Sequence, residues 1–200
     1  MSARCGWTSS PGSVCGDSAV RPEADAAIEQ PSAGDGAGET TVLILGLGND
    51  ILTDDAVGLA VARAVRERLQ DAQTVRVVDT EEMGLSLLDF IAGHRELIIV
   101  DAIQTGKAPP GTVHEMDGDA LCLLPRISPH FLGIGEILTL GRQLGLTMPG
   151  RVKIFAIEVA DPFTLGTSMT APVALAVPEV VNRVVVWARS NAAAAASDHP

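Results

Sequence analysis

The sequence predicts an α/β protein, a three-layer αβα sandwich around a mostly parallel, twisted sheet of about five strands. Short continuous apolar runs, typical of strands buried on both faces, alternate with segments whose apolar residues recur at helical spacing. Hydrophobic residues make up 46% of the chain and aromatic residues only 3%. The core must therefore be built mainly from aliphatic side chains.

Two strand–helix–strand units open the predicted fold. Apolar residues from Val57 to Leu69 recur along one helical face, and Gly93 ends the second helix. The run Glu96-Leu-Ile-Ile-Val-Asp101 is typical of a fully buried strand. In chain order, the predicted elements are a strand at 41–45, a helix at 56–69, a strand at 74–79, a helix at 85–92 and a strand at 96–101.

Two further strands and two helices follow a Pro-Pro-Gly turn that ends at Gly111. Pro178 falls inside the last helix. It is expected to kink that helix or to separate two helical pieces, because proline lacks the backbone donor and crowds the preceding turn. The predicted elements are a strand at 112–116, a helix at 131–144, a strand at 152–159 and a helix at 171–189.

Low-complexity segments flank a single predicted domain at residues 40–190. Residues 1–39 are rich in Ser, Gly, Ala, Pro and acids and show no period of 2 or 3.6, so we expect a disordered tail. Residues 191–200 are rich in alanine. Their alanines could extend the last helix, but they offer no side chains with which to dock, and we expect a second disordered tail.

The composition argues against two classes of partner. The formal net charge is -11, from 14 Lys and Arg against 25 Asp and Glu, and no basic run offsets it. Such a chain repels nucleic acid and anionic membranes. No apolar run approaches the roughly 20 residues of a membrane span, and the first thirty residues do not resemble a signal peptide. We expect a cytoplasmic monomer.

A glycine-rich turn follows the first strand. Gly46-Leu47-Gly48-Asn49 leads towards two adjacent carboxylates, Asp54 and Asp55, at the predicted strand-to-helix junction. A dinucleotide fingerprint would need a third glycine where Ile51 stands, and the two acids would repel a pyrophosphate from the helix start. We therefore disfavour dinucleotide binding at this turn.

The carboxylates at this junction have different predicted roles. Thr53 or Asp54 can cap the helix, and for Asp54 we prefer this interpretation. Asp55 is different because the third strand also ends in an acid, Asp101, and the first and third strands are neighbours in the usual 2-1-3 order. Two acids sharing one crevice predict either a raised pKa or a bound metal.

A histidine is the candidate third ligand. His130 follows Pro129 and precedes a predicted helix, in a loop that can fold over the carboxyl edge of the sheet. His94 and His114 are instead expected to be structural or solvated. Two carboxylates and one imidazole suit nickel, zinc or manganese, and their chemistry does not choose among these ions.

Three motifs together resemble the nickel-iron hydrogenase maturation endopeptidases. They are Leu45-Gly-Leu-Gly-Asn49 with Thr53-Asp-Asp-Ala-Val-Gly58, then Leu97-Ile-Ile-Val-Asp-Ala-Ile103, then Ile127-Ser-Pro-His-Phe-Leu-Gly133. Each motif is weak alone, but their order and spacing within an α/β pattern make the combination specific. The resemblance covers about residues 42–189.

The resemblance implies an endopeptidase that removes the C-terminal extension of a hydrogenase large-subunit precursor once nickel is in place. The family's ligands fall on Asp55, Asp101 and His130, which we predict as both the metal ligands and the catalytic residues. The nickel would be supplied by the substrate, and another divalent metal is a second option. Where the family commonly has Glu, this chain has the shorter Asp55, so the metal distance or preference could shift.

The resemblance also predicts a substrate-binding surface. Asp79 begins Asp79-Thr-Glu-Glu-Met-Gly84, where many members have Asp-Gly-Gly-Thr-x-Gly, and two acids replace the flexible middle of a loop implicated in substrate recognition. Gly48 and Asn49 would let the backbone pass close to the substrate tail, with the Asn side chain donating to a carbonyl. A simple tight turn explains Gly48 and Asn49 equally well.

Two alternative functions stay open. A non-proteolytic, nickel-dependent chaperone could hold the immature subunit without cutting it. A general peptidase or amidase with a permanent metal should instead bind zinc tightly and cut unrelated peptides. No Gly-x-Ser-x-Gly elbow, His-Glu-x-x-His motif or plausible Cys–His pair stands out, which keeps the chaperone interpretation open. The assignment of a peptidase as aspartic-type or metal-dependent is also left open.

Overall fold

The computed structural model describes residues 41–118 and 133–197. Each predicted element has a counterpart within these ranges, with bounds shifted by a few residues except at the end of the last helix. His130 and the predicted start of the third helix lie outside the described residues. The strands are β1 (Val42–Leu47), β2 (Val75–Thr80), β3 (Glu96–Ile103), β4 (Val113–Asp117) and β5 (Arg151–Glu158). The helices are α1 (Val57–Arg68), α2 (Leu87–Ile91), α3 (Ile134–Gln143) and α4 (Ala171–Ser197), and the 3₁₀ turn Gly84–Ser86 precedes α2.

The five strands form one sheet in the order β2-β1-β3-β5-β4. Strands β2, β1, β3 and β5 are parallel, and β4 pairs antiparallel with β5 at the edge. In register, Gly46 of β1 lies between Asp79 of β2 and Val100 of β3. This confirms the predicted 2-1-3 neighbours and a mostly parallel sheet, and it brings the carboxyl ends of four strands to one edge.

Helices cover both faces of the sheet. One core cluster joins α1 and α4 to one face, and the other joins α2 and α3 to the opposite face. The side chains of β3 alternate between them, with Ile98 and Val100 in the first cluster and Leu97 and Ile99 in the second. Both clusters are largely aliphatic, with Phe155 the largest fully buried side chain among the described residues. The predicted αβα sandwich is confirmed.

Helix α4 differs from the prediction at its end. It continues to Ser197, so disorder from residue 191 is wrong for the part up to Ser197. Asn191 docks there, because its side-chain oxygen accepts from Arg151 at 2.6 Å and its amide donates to the Trp187 carbonyl at 2.8 Å. The alanines that follow favour continuation of the helix.

Pro178 lies within α4, and the structure forms one helix through it rather than two separate pieces. Among the described residues, α4 is the helix whose length and apolar character could match a membrane span. Val180, Val184 and Ala188 of α4 are buried in the same cluster as Val61 and Val65 of α1. Helix α4 is therefore a core helix of this fold.

Candidate active site at the carboxyl edge of the sheet

The start of α1 lies directly on the carboxyl ends of β1 and β3. A Cβ atom built on Gly58 would lie 2.1 Å from the Leu47 carbonyl oxygen and 2.5 Å from that of Val100. A Cβ atom on Gly46 would lie 2.4 Å from the Gly58 carbonyl oxygen. Only glycine permits this approach, so the two glycines fix the start of the helix against both strands.

Asp55 and Asp101 both lie at this junction. A Cβ atom on Gly48 would lie 2.1 Å from the Asp55 carbonyl oxygen, so the Asp55 backbone packs on the end of β1. Asp101 follows Val100 in β3, and its Oδ1 accepts from the Ala102 amide at 2.8 Å. Asp55 is 6% exposed and Asp101 0% exposed. The structure thus places the two predicted carboxylates at one edge and buries both.

The burial of Asp55 and Asp101 limits the environments in which they can stay charged. Removing a carboxylate from water is costly unless hydrogen bonds, a proton or a cation compensate for the lost hydration. Two carboxylates at one junction supply oxygen donors for a divalent cation. Among the described residues, no group of three His, Cys, Asp or Glu side chains is arranged to hold a metal ion. The predicted third ligand, His130, lies outside those residues, so the three-ligand set remains a prediction.

Asp54 has a different role from the helix cap that we preferred. It is 0% exposed, while the N-cap residue of α1 is Ala56, which makes no side-chain capping bond. The Asp54 carboxylate accepts from the Ala160 amide at 3.0 Å, the Asp161 amide at 2.9 Å, the Thr170 amide at 2.7 Å and the Thr170 hydroxyl at 2.9 Å. The capping prediction is wrong, because these distant backbone donors compete successfully for the carboxylate.

The segment after β1 pairs with the segment after β5. The Thr53 hydroxyl donates to the Asp161 carbonyl, and the Thr53 amide donates to the Thr164 carbonyl at 3.0 Å. Leu52 forms an antiparallel bridge with Leu165, which extends the pairing. Together with the Asp54 bonds, these contacts hold the two loops as one unit beside Asp55.

The predicted substrate residue Asp79 is held by two arginines of α1. Arg63 Nε donates to Asp79 Oδ2 at 2.7 Å, and Arg66 donates to Asp79 Oδ1. Arg63 also makes a two-pronged bond with Asp50, at 2.9 and 2.6 Å. Burial raises the pKa of Asp79, but the bonds from Arg66 and Arg63 outweigh this and hold its pKa below the ordinary value. Asp79 therefore remains ionised and fixed in place.

Asn49 forms a tight turn. Its side-chain oxygen accepts from the Ile51 amide at 3.1 Å, the pattern of an Asx turn. Gly48 has φ +152° and packs on the Asp55 backbone, so it also shapes the turn. These contacts give both residues a structural role, and their predicted contact with substrate remains a prediction.

Glu158, at the end of β5, was missed in the sequence. It is 1% exposed. Its carboxylate accepts at 2.8 Å from each of three donors in the loop after β3, the Thr105 amide, the Thr105 hydroxyl and the Gly106 amide. Burial raises the pKa of Glu158, but these bonds and one with His114 outweigh it and lower the pKa below its ordinary value. An acid that ends a buried strand was a usable signal, since the same pattern identified Asp101.

The two remaining described histidines are both held by the fold. His94 is only 4% exposed, as expected for a structural histidine. His114 Nε2 lies 3.2 Å from Glu158 Oε2, a contact that the sequence did not reveal because 44 residues separate the pair. Glu158 thus links the β3–β4 loop to the first half of β4.

The fold and this edge define an α/β protein with buried acids at the topological switch point of its sheet, where such proteins bind ligands. A family model described as hydrogenase maturation protease matches residues 59–187. The chain therefore belongs to the hydrogenase maturation protease family, a family of peptidases, and the predicted resemblance is confirmed.

Individual relatives agree with the family match. The hydrogenase 2 maturation protease of Escherichia coli strain K12 is 36% identical over 106 residues, which cover 52% of this chain and 65% of that protein, slightly under two thirds. The hydrogenase expression/formation protein HupD of Rhizobium leguminosarum bv. viciae is 28% identical over 152 residues, with 74% of each chain covered. The solved structure of the hydrogenase maturating endopeptidase HybD from E. coli superposes with a TM-score of 0.66 at 27% identity, covering 76% of this chain and 93% of that one.

Proposed function

We propose that this protein is the endopeptidase that removes the C-terminal extension of a nickel-iron hydrogenase large-subunit precursor after nickel insertion. The observation that carries the proposal is the pair of buried acids, Asp55 and Asp101, at the carboxyl edge of a sheet in this family. A buried carboxylate needs a compensating hydrogen bond, proton or cation, and the carboxyl edge of a parallel sheet is where such folds bind their ligands.

Nickel bound to the precursor is the docking signal in this proposal. Asp55, Asp101 and His130 would complete the coordination of that ion with two carboxylates and one imidazole, a donor set suited to a borderline divalent metal. A bound divalent ion can polarise a scissile carbonyl or lower the pKa of a water molecule. The edge acids would thus place the peptide bond and its nickel at one point. The reaction would take place in the cytoplasm, with the protease acting as a monomer.

Asp79 and the turn at Gly48 and Asn49 would flank the substrate tail. Asp79 is held rigid and ionised by Arg63 and Arg66, so it presents a fixed acceptor rather than a mobile one. The turn is held by the Asx bond to Ile51. Preorganised groups of this kind bind a peptide with little further ordering cost.

The test is to mix the purified chain with its cognate precursor, nickel-loaded or nickel-free, and to follow the precursor's intact mass. We expect loss of a C-terminal peptide only from the nickel-loaded precursor. Asp101→Asn and His130→Ala should each lower the cleavage rate by at least about 100-fold, the scale seen when one catalytic group is removed. Glu67→Gln, an exposed acid on α1, is the matched control and should cleave like the unaltered chain.

Binding of the cognate precursor without any change of mass would overturn the protease proposal. It would leave the chaperone alternative, in which the chain holds the immature subunit by its nickel. Cleavage of unrelated short peptides by a zinc-loaded preparation would instead indicate a general peptidase. Equal cleavage by the unaltered chain and by Asp101→Asn would remove Asp101 from the site while leaving the activity in place.

A further inference from the structure

Exposed apolar side chains are concentrated around the candidate active site. Nine large apolar side chains are strongly exposed in the described part of the chain, and five of them lie on the loops after β1, β2 and β5. We call these five residues the apolar rim. They are Ile51 at 60% exposure, Met83 at 51%, Leu85 at 66%, Phe163 at 74% and Leu165 at 73%.

The three loops that carry the apolar rim are physically continuous. The loop after β1 bonds to the loop after β5 through the Leu52–Leu165 bridge and through the Gly166 amide, which donates to the Ile51 carbonyl at 3.0 Å. On its other side, the Asp50 amide donates to Glu81 Oε1 at 3.2 Å, in the loop after β2. The rim is therefore one surface along the edge that holds Asp55 and Asp79.

The charge on these loops has a single sign. Segments 49–55, 80–85 and 160–166 contain no Lys, Arg or His, and they carry Asp50, Asp54, Asp55, Glu81, Glu82 and Asp161. Arg63 reaches this edge from α1, but its guanidinium is already paired with Asp50 and Asp79. Glu81 and Glu82 are both exposed. The rim therefore combines apolar side chains with a negative surround.

We propose that the apolar rim docks the precursor segment next to the scissile bond, and that this segment is apolar and carries basic side chains. The inference deepens the proposed function and rests on it for the identity of the partner. An exposed apolar surface edged by polar groups is typical of a protein-binding site. Its acidic surround would steer a basic segment towards Asp55 and Asp101 and repel acidic segments.

The negative charge around the apolar rim also argues against two other occupants of this surface, a second copy of the chain and the chain's own residues 1–40. A second copy of this chain would bring an equally acidic rim, so two rims facing each other would repel. The chain's own residues 1–40 contain six acids against two arginines, so they share the negative charge of the rim. A separate basic and apolar partner satisfies both features of the surface.

The test measures binding and cleavage of the cognate nickel-loaded precursor by full-length variants. Phe163→Ser with Leu165→Ser should raise Kd and KM at least about tenfold, as for loss of apolar interface anchors, while kcat changes by less than about threefold. Leu144→Ser with Val186→Ser is the matched control, because these side chains are 61% and 65% exposed but lie outside the rim. The control should leave Kd and KM unchanged.

A second pair of variants tests the charge. Glu81→Lys with Glu82→Lys should raise Kd at least about tenfold at low salt, and the difference from the unaltered chain should shrink at 0.5 M salt, where the screening length falls to about 4 Å. Glu67→Lys with Asp71→Lys makes the same charge change at the other end of α1 and should bind normally. Replacing basic residues beside the cleavage site of the precursor by Glu should restore binding to the reversed rim.

The outcomes separate the two proposals. If the unaltered chain cleaves the precursor and the rim variants bind and cleave it like their controls, the protease function stands and the docking inference is overturned. Rim-dependent binding without cleavage by the unaltered chain would support docking and sink proteolysis. Self-association of the unaltered chain in sedimentation that Phe163→Ser with Leu165→Ser abolishes would assign the rim to a second copy and overturn the inference. Neither binding nor cleavage by the unaltered chain would overturn both proposals.

Discussion

Carboxylates hold the loops of the candidate site in two physically different ways. Asp54 and Glu158 are fully buried, and their oxygens are saturated by backbone amides and hydroxyls of a neighbouring loop. Asp50 and Asp79 lie at the surface and are held by arginine, with side chains 44% and 19% exposed. Buried donors and acceptors have little access to water when a partner is lost, whereas surface ions are readily hydrated. The buried carboxylates Asp54 and Glu158 should therefore contribute more to stability. The surface ion pairs should mainly position Asp50 and Asp79.

The largest effect is expected for Asp54→Ala. The substitution leaves the amides of Ala160, Asp161 and Thr170 without their acceptor inside the fold. We expect the free energy of unfolding to fall by about 3 kcal/mol, since each buried donor left without a partner costs about 1 to 3 kcal/mol and partial hydration recovers some of it. Urea unfolding monitored by circular dichroism measures the change.

Asp71→Ala provides the comparison for Asp54, because Asp71 is exposed in the turn after α1. It should change the free energy of unfolding by less than about 0.5 kcal/mol. A loss at Asp54 no larger than that at Asp71 would mean that the four hydrogen bonds of Asp54 contribute nothing net, and the distinction between the two kinds of carboxylate would fail.

Glu158 should give the next largest effect, and its effect should depend on pH. The pKa of Glu158 is lowered from 4.5 in the folded state. A lowered folded pKa stabilises the protein above the unfolded pKa, and this stabilisation is lost as pH falls through the folded pKa. Glu158→Gln should therefore cost about 2 kcal/mol at pH 7, as for loss of charge-assisted bonds, and progressively less below pH 4.5.

Unfolding curves at pH 7 and at successive acid steps would measure this convergence. Glu67→Gln is a suitable control, because Glu67 is exposed and should give parallel curves at every pH. If the free energy of unfolding lost in Glu158→Gln stays constant as the pH falls, the charge of Glu158 is irrelevant and only the shape of its side chain matters.

These residues also show which features could be predicted from the sequence and which could not. The periodicity of apolar residues located the strands and helices because each pattern is local. Asp55 and Asp101 could be predicted to lie at the same edge because strand ends in a parallel sheet meet there, and their role in the site stays a prediction. The role of Asp54 was misjudged because its partners, Ala160, Asp161 and Thr170, lie more than 100 residues away. Local capping rules cannot anticipate donors that only the folded topology brings close.

The end of α4 and the apolar rim show two other limits. Residues 191–197 have a composition compatible with both helix and disorder, and the docking of Asn191 on Arg151 depends on a partner 40 residues away. Single exposed apolar residues carry no signal in a sequence, since every protein exposes some. The contacts that make two of the three rim loops neighbours, such as the bridge between Leu52 and Leu165, join residues more than 100 positions apart in the sequence.

The smallest effect is expected for Arg63→Met, although Arg63 makes the most conspicuous polar network at this edge. The Arg63 side chain is 47% exposed, and Asp79 keeps its bond to Arg66 when Arg63 is lost. We expect a cost of about 1 kcal/mol at low ionic strength and less than about 0.5 kcal/mol in 1 M salt, where the screening length is about 3 Å.

Paired urea titrations at the two salt concentrations measure the difference, with Arg183→Met, which removes the exposed ion pair to Glu179, as the control. A loss above about 2 kcal/mol that persists in 1 M salt would instead place Arg63 among the essential supports of the loops. The contrast between surface pairs and buried acceptors would then have to be replaced by one based on the number of loops that each residue joins.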